Sequence, residues 1–294
     1  MDGIVVVNKP TEFTSFDVCA KLRGIFETKK IGHAGTLDPM ATGVLPVFIG
    51  KATKACDILP NDKKAYTASF KFGIKTDTED IWGEVLSQEK SQIKTDELIM
   101  ASKGFLGSIK QIPPMYSAVK INGQKLYSLA RKGIEIDRPE REAHIHQLNV
   151  LSFDEKSQSG EIYVSCSKGT YIRTLICDIA ASLKTIGVMT ALRRDASGGF
   201  SLKDAFTINE LQELKYKGEL KSAVIPTDKA FECFGSVTLD EKRTKLYKNG
   251  VCLRADQIGG KDETFRVYGF DGEFLGLVQT DVRENKTKRI KNFY

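Results

Sequence analysis

The densest chemical signal in this 294-residue chain lies in one loop, Ile31-Gly-His-Ala-Gly-Thr-Leu-Asp-Pro-Met-Ala-Thr-Gly-Val-Leu-Pro46. Its glycines permit unusual backbone angles and close approach of a ligand. Asp38 precedes Pro39, which biases it toward an extended conformation that holds the carboxylate outward. A lone acid on a loop anchored by a buried strand is a usual mounting for a catalytic carboxylate. An Asp-Pro turn with a capping carboxylate is the equal alternative on spacing alone. Three further stretches share this polar-in-apolar texture: Asn8-Lys-Pro-Thr-Glu-Phe-Thr-Ser15, Thr76-Asp-Thr-Glu-Asp80 and Ser167-Lys-Gly-Thr-Tyr-Ile-Arg-Thr174. The last puts Arg173 in the first turn of a helix, where the macrodipole prefers acids. Such a cation is tolerated when a carboxylate elsewhere needs it, although an exposed arginine is the commoner case.

Periodicity identifies the elements that must hold these stretches. Residues 3–7 read as a buried strand, and Thr14 or Ser15 caps a helix to about residue 26 with Val18, Leu22 and Ile25 on one face. Residues 28–43 are a loop, and 44–49 return as a buried strand. Over 66–72, Tyr66, Ala68, Phe70 and Phe72 alternate with polar residues as a half-buried strand does. Helices are expected over 96–105 and over 124–132, the second closed by Gly133. Residues 161–166 alternate again, and a helix follows with Ile172, Ile176, Ile179 and Leu183 in register. Thr207-Ile-Asn-Glu210 is a capping box opening another helix. From about residue 225, β-like runs over 265–270, 273–279 and 288–293 alternate with Gly and Asp turns, as in a small β-rich domain after a helical connector. Without steady βαβ alternation the fold class is α+β rather than doubly wound α/β.

Composition narrows the function classes. Hydrophobic residues are 41% and charged residues 28%, ordinary for a packed protein. No apolar run approaches the roughly 18 residues of a membrane span. Asn8, Lys9 and Pro10 interrupt the first apolar run, so no signal peptide and a cytoplasmic location are expected. The six cysteines include no Cys-x-x-Cys pair, which disfavours a zinc ribbon or a disulfide framework and suggests buried thiols. His144 and His146 alternate on a strand face with no third ligand nearby, so no metal is expected. The net charge of +6 is local: between Ser102 and Arg141 eight Lys and Arg face three acids. That excess suits a polyanionic partner, although exposed lysine-rich loops are common.

Taken in order, the motifs resemble the TruB-type pseudouridine synthases, which act on uridine 55 in the T-loop of tRNA. The resemblance is carried by residues 33–46, by Lys64-Ala-Tyr66 with Thr76-Asp-Thr-Glu-Asp80, by Gln111-Ile-Pro-Pro-Met-Tyr-Ser-Ala-Val-Lys120, by residues 167–175 and by Leu192-Arg-Arg194. It runs from Ile4 to about Phe206. One departure is Glu12, where the family's first motif usually has glycine. The resemblance implies a catalytic domain of pseudouridine-synthase type, with a mixed, largely antiparallel sheet, over residues 1–224. It also implies a reaction without cofactor or metal, in which the base–ribose C–N bond breaks and the ring rejoins through carbon 5. That chemistry needs a carboxylate as nucleophile or charge stabiliser. By resemblance, Asp38 is the catalytic aspartate and Arg173 the arginine that keeps it ionised and placed. Tyr66 is the ring on the target base, its hydroxyl placed to help remove the carbon-5 proton. Asp80 reads the uracil edge, Leu192 lies under the ring, and His33 sits near the flipped nucleotides. Lys9 matches the first motif, with structural, RNA-contacting and catalytic roles open, whereas Asp77 reads as a turn cap. Residues 113–141 correspond to an insertion that closes over RNA, where phosphate contacts such as Lys132 are expected. Residues 225–294 resemble a PUA-like RNA-binding domain, with Lys286, Lys288, Arg289 and Lys291 near its last strand.

The expectation is therefore a stand-alone, monomeric tRNA pseudouridine synthase that engages the T-arm and needs no membrane or obligate protein partner. A guide-RNA-dependent relative is the first rival; a chain that starts at the first motif and has no large basic extension argues against it. A non-catalytic tRNA-binding or folding protein is the second, opposed by intact Asp38, Tyr66 and Arg173.

Overall fold

The alternation around Tyr66 makes a strand with one covered face: Tyr66, Ala68, Phe70 and Phe72 are buried, while Thr67, Ser69 and Lys71 are partly open. A computed structural model, which describes residues 1–60, 63–121 and 123–294, places this strand near the middle of a ten-stranded sheet. In chain order the elements begin with β1 (Gly3–Lys9), α1 (Ser15–Ile25), β2 (Ile31–His33), β3 (Thr42–Ile49) and β4 (Lys64–Phe72). The hairpin β5 (Ile74–Thr76) and β6 (Val85–Gln88), α2 (Thr95–Lys103) and β7 (Gly107–Gln111) follow. A small excursion holds β8 (Lys120–Ile121), β9 (Gln124–Lys125) and α3 (Leu126–Ala130). Then come β10 (Arg141–Asp154), β11 (Ser159–Cys166), α4 (Ile172–Ser182), β12 (Gly187–Ser197), β13 (Phe200–Ser201), β14 (Ala205–Phe206) and α5 (Ile208–Tyr216). The C-terminal part has β15 (Gly235–Thr238), α6 (Glu241–Lys248), β16 (Thr264–Tyr268), β17 (Phe274–Asp281) and β18 (Lys286–Asn292).

The large sheet runs β14-β1-β3-β12-β4-β11-β10-β7, with β2 on β3 and β13 on β12. Only the β1–β14 and β3–β12 links are parallel, which gives the mixed, largely antiparallel α+β architecture expected. Helix α4 lays Ile172, Leu175, Ile176 and Ile179 against Phe70, Phe72 and Ile162. Strands β1 and β3 are covered on both faces, which is why they read as continuous apolar runs. Val5, Val7, Leu45 and Val47 meet α1 and α5, and Ile4, Val6 and Phe48 meet Phe231, Leu277 and Phe293. The second sheet, β15-β16-β17-β18, thus shares a core with the first, and Ile4 and Ile225 exchange two backbone hydrogen bonds of 2.8 Å. Among the described residues no helix is long and apolar enough to cross a membrane.

The capping box forms as expected at Thr207–Glu210, and of the two caps open for the first helix it is Thr14 that caps, in a capping box with Asp17. The helix expected over 124–132 is only Leu126–Ala130, because Gln124 and Lys125 pair instead with Ile121 and Lys120. The thiols are not all buried: Cys233 and Cys252, outside the helices and strands of the C-terminal part, are exposed.

Gly43 fixes the crossing of β3 and β12. It sits opposite Arg194 with φ of 101°, and a Cβ there would run into the Arg194 carbonyl oxygen and lie 2.8 Å from its nitrogen. Gly43→Ala is expected to lower stability by about 3 kcal/mol through left-handed strain and overpacking. A denaturant midpoint within error of wild type would contradict this.

Candidate active site

The first motif acts as a clamp on the loop that carries Asp38. The Thr14 cap starts α1 at Ser15, whose buried hydroxyl accepts from Leu37 N–H (2.9 Å) and donates to Leu37 O (3.3 Å). Lys9 is fully buried and donates to the carbonyls of Pro10 (2.8 Å), Phe13 (2.6 Å) and Pro39 (3.2 Å). Burial pulls its ammonium down to about 8, while the charge of Asp38 pushes it back up. Thr11 Oγ1 donates to Met40 O (3.4 Å), and Ala41 N–H to Asp38 O (3.0 Å). Every residue from 37 to 41 is thereby tied down, with the Asp38 side chain 36% exposed. Glu12 takes φ of 65°, the left-handed conformation that glycine adopts without strain.

Arg173 gathers the other motifs. Its guanidinium is 3.0 Å from Asp38 Oδ2 and 3.7 Å from Asp80 Oδ2, and it donates to Thr78 O (2.8 Å) and Tyr116 O (2.9 Å). These acceptors come from three separate loops, so the cation at the start of α4 joins segments that are far apart in sequence. Asp80 accepts from Thr78 Oγ1 (2.8 Å) and Trp82 N–H (3.1 Å). Burial pushes its carboxyl up, opposed by the Thr78 hydrogen bond and the Arg173 charge. The loop is bolted to β12 by Ile81 N–H to Met189 O (2.9 Å) and Met189 N–H to Glu79 O (3.2 Å). Thr174 Oγ1 donates to Glu79 Oε2 (2.7 Å), linking the loop to α4 from behind.

Asp178 stands on the same helix, where burial and the neighbouring Glu79 push its carboxyl up to about 6 from 3.8. The folded protein therefore holds this proton more tightly than the unfolded chain, and stability falls as pH rises from about 4 to about 6. Asp178→Asn is expected to raise the melting temperature by about 3 °C near neutral pH and to change it little near pH 4. Melting curves with the same difference at both pH values would contradict this.

The pocket floor is aromatic and apolar. Tyr66 and Leu192 project from the adjacent strands β4 and β12 and are nearly buried. Burial pushes the Tyr66 hydroxyl up, opposed by the Arg194 guanidinium beside it. Arg194 is fully buried and donates to Val44 O (2.7 Å) and Gly35 O (2.9 Å), holding the glycine loop against the sheet. Asp38, Tyr66, Tyr171, Arg173 and Leu192 surround a cavity of ≈ 180 Å³. That is below the roughly 300–1,000 Å³ of drug-sized sites and suits one planar base. A wider cleft of ≈ 610 Å³ continues past His33, Asp80, Trp82, Tyr116, Tyr127 and Arg131. His33 Nδ1 and Ser117 Oγ, both lining it, are buried without a hydrogen-bond partner among the described residues.

The structure thus brings Asp38, Tyr66, Arg173 and Leu192 to one cavity and His33 and Asp80 to the cleft beside it. Lys9 lies behind the loop, and Lys132 is exposed beyond α3, among the lining residues of neither space. Asp77 caps its turn, accepting from Glu84 N–H (2.8 Å). Three cations of the last strand region are engaged within the protein. Arg289 lies 4.4 Å from the Tyr247 ring centroid and donates to Tyr247 O and Val251 O, while Lys291 pairs with Asp57 and Lys286 with Glu284. Sequence reasoning missed Ser15, Tyr116, Ser117 and Arg194 as parts of the site. Their only signal was polarity inside otherwise apolar motifs. Among the described residues no three His, Cys, Asp or Glu side chains cluster as metal ligands would.

An aspartate held by a buried arginine over a small, tyrosine-floored pocket, beside a cleft lined with aromatic and basic residues, is an arrangement suited to an enzyme that acts on a base of a nucleic acid. Residues 23–172 match the TruB family pseudouridylate synthase N-terminal domain, and residues 173–232 match the tRNA pseudouridylate synthase B C-terminal domain. The tRNA pseudouridine synthase B of Clostridium perfringens is 42% identical over 99% of both chains. That of Fusobacterium nucleatum is 43% identical over 96% of both. The solved Cbf5–Nop10–Gar1 complex superposes with a TM-score of 0.76 at 26% identity, covering 99% of this chain and 85% of that one. The chain belongs to the TruB family of pseudouridylate synthases; it is an isomerase that forms pseudouridine in tRNA.

Proposed function

We propose that the protein isomerises uridine 55 of the tRNA T-loop without a guide RNA, with Asp38 as the charged group at the reacting nucleotide. The observation that carries this reading is the Asp38–Arg173 contact at 3.0 Å, at the mouth of a cavity sized for one base. A T-loop uridine is tucked into tertiary structure and must be flipped out to enter such a cavity. Once there, the base would lie on Tyr66 and Leu192. Asp80, pushed toward the protonated form, would stand at the uracil edge with Thr78. Arg173 fixes the direction of the Asp38 side chain, so the carboxylate meets the developing charge with little reorganisation. Asp38 acts on the sugar or on the base; both steps use the same ionised form. The Tyr66 hydroxyl, beside Arg194, is placed to relay the carbon-5 proton once the ring has turned. The unpartnered His33 Nδ1 and Ser117 Oγ offer polar contacts to the opened loop.

Two further assignments belong to the reading. Residues 113–141, of which 122 lies outside the described residues, close over the RNA with cations such as Lys132 on its phosphates. Residues 225–294 act as a PUA-like RNA-binding domain. The protein works as a cytoplasmic monomer. Near-complete coverage of bacterial relatives named tRNA pseudouridine synthase B, against 26% identity to the Cbf5 complex, supports free tRNA over a guided substrate. The test is to treat an unmodified tRNA transcript with the protein alone and map pseudouridine along it. Modification confined to position 55, and lost when that uridine is replaced by cytidine, is expected; modification elsewhere would overturn the reading.

A further inference from the structure

Trp82 is the single tryptophan of the chain, and more than half of its surface is open to solvent at the cleft beside the base cavity. A solvent-exposed indole forgoes the burial that stabilises most tryptophans. The turn that presents it is fixed. Trp82 N–H donates to Asp80 Oδ1 (3.1 Å), Gly83 N–H to Asp80 O (3.2 Å), and Glu84 N–H to Asp77 Oδ1 (2.8 Å). A Cβ at Gly83 would collide with Thr78 Oγ1 and Asp77 Oδ1, so a larger residue there would displace the side chains that brace the turn. Little ordering is left to do when a partner arrives.

The rest of the cleft supplies the matching chemistry. Tyr127 lines it with Lys125 and Arg131 at 5.5 and 5.6 Å from its ring centroid. Exposed aromatics beside cations form the surface on which unpaired bases stack while their phosphates are neutralised. Trp82 is not among the residues around the ≈ 180 Å³ cavity. It stands two residues from Asp80, just outside.

We infer that Trp82 is a stacking platform for an unpaired base that flanks the isomerised uridine, and so a specificity-determining residue of this enzyme. The inference rests on the reading of the cleft as the T-loop site.

With one indole in the chain, tryptophan fluorescence reports this residue alone. Titration of the wild-type protein with a T-arm hairpin is expected to quench it. An abasic nucleotide placed at each loop position in turn should remove the quench at one position next to the target. Trp82→Ala is expected to raise KM for the hairpin about tenfold with a smaller change in kcat, and Trp82→Phe to restore most of it. The critical abasic RNA should raise KM for wild type and leave Trp82→Ala unaffected, the signature of a direct pair. Unchanged fluorescence at saturating RNA, an unchanged KM in Trp82→Ala, or effects of variant and abasic site that simply multiply would each overturn the inference. Quenching without pseudouridine at position 55 would instead overturn the T-loop reading and leave the stacking result standing.

Discussion

Asp38→Asn is expected to abolish turnover, by more than about 10⁴-fold in single-turnover pseudouridine formation, while T-arm binding stays within a few-fold of wild type. The amide has the shape of the carboxylate but no charge, so it can neither attack nor stabilise a developing positive centre. Binding survives because the loop is held by Lys9, Thr11 and Ser15 rather than by the Asp38 side chain. Arg173 keeps its carbonyl partners at Thr78 and Tyr116 and its contact with Asp80. With Asp38 partly exposed, stability should change by about 1 kcal/mol or less. Filter binding beside rapid-quench kinetics checks both halves; a variant with measurable turnover near wild type would remove Asp38 from the chemistry.

Arg173→Ala should be damaging in two ways that can be separated. It strips the carbonyls of Thr78 and Tyr116 of a buried donor and leaves Asp38 and Asp80 facing each other without a cation. Breaking a buried pair in this manner costs about 3 kcal/mol of stability. The rate should also fall by about 10²–10³-fold, because the carboxylate is no longer fixed in direction. Assays well below the lowered melting temperature isolate the kinetic part. Arg173→Lys is expected to recover some charge but little rate, since an ammonium cannot span both carbonyls and the Asp38 carboxylate as the planar fork does. Full activity in either variant would show that the pair is structural only.

What was legible in the chain was local. The alternation at 66–72, the capping box at Thr207 and the helix cap at Thr14 or Ser15 are signals within a few residues of each other, and each forms, with Thr14 as the cap. What was not legible depends on partners far away. Strand β12 carries Arg193, Arg194 and Asp195 and does not look like the middle of a sheet. Those charges are matched by Val44 O, Gly35 O and Thr67 Oγ1, which the sequence does not connect to it. For Lys9 the sequence left structural, RNA-contacting and catalytic roles open, and the structure buries it on the carbonyls of residues 10, 13 and 39. The opposite error occurred at 124–132, where helical spacing lost to a short hairpin. For Asp38, spacing left a turn cap and a catalyst equally open; the structure joins its carboxylate to Arg173. The roles of Tyr66, Asp80 and Leu192 came from resemblance to the family, and the structure adds that all four motif loops converge on Arg173 and the two spaces beside it.

The central claim is that the protein, unaided, breaks and remakes the glycosidic link of a T-loop uridine. Release of tritium from T-arm RNA labelled at uridine carbon 5 tests it most directly, since that proton leaves only after the ring has rejoined the sugar through carbon 5. Purified protein alone should release the label in proportion to pseudouridine formed. Tight binding of the same RNA with no release, in the absence of any added guide RNA, would contradict the account.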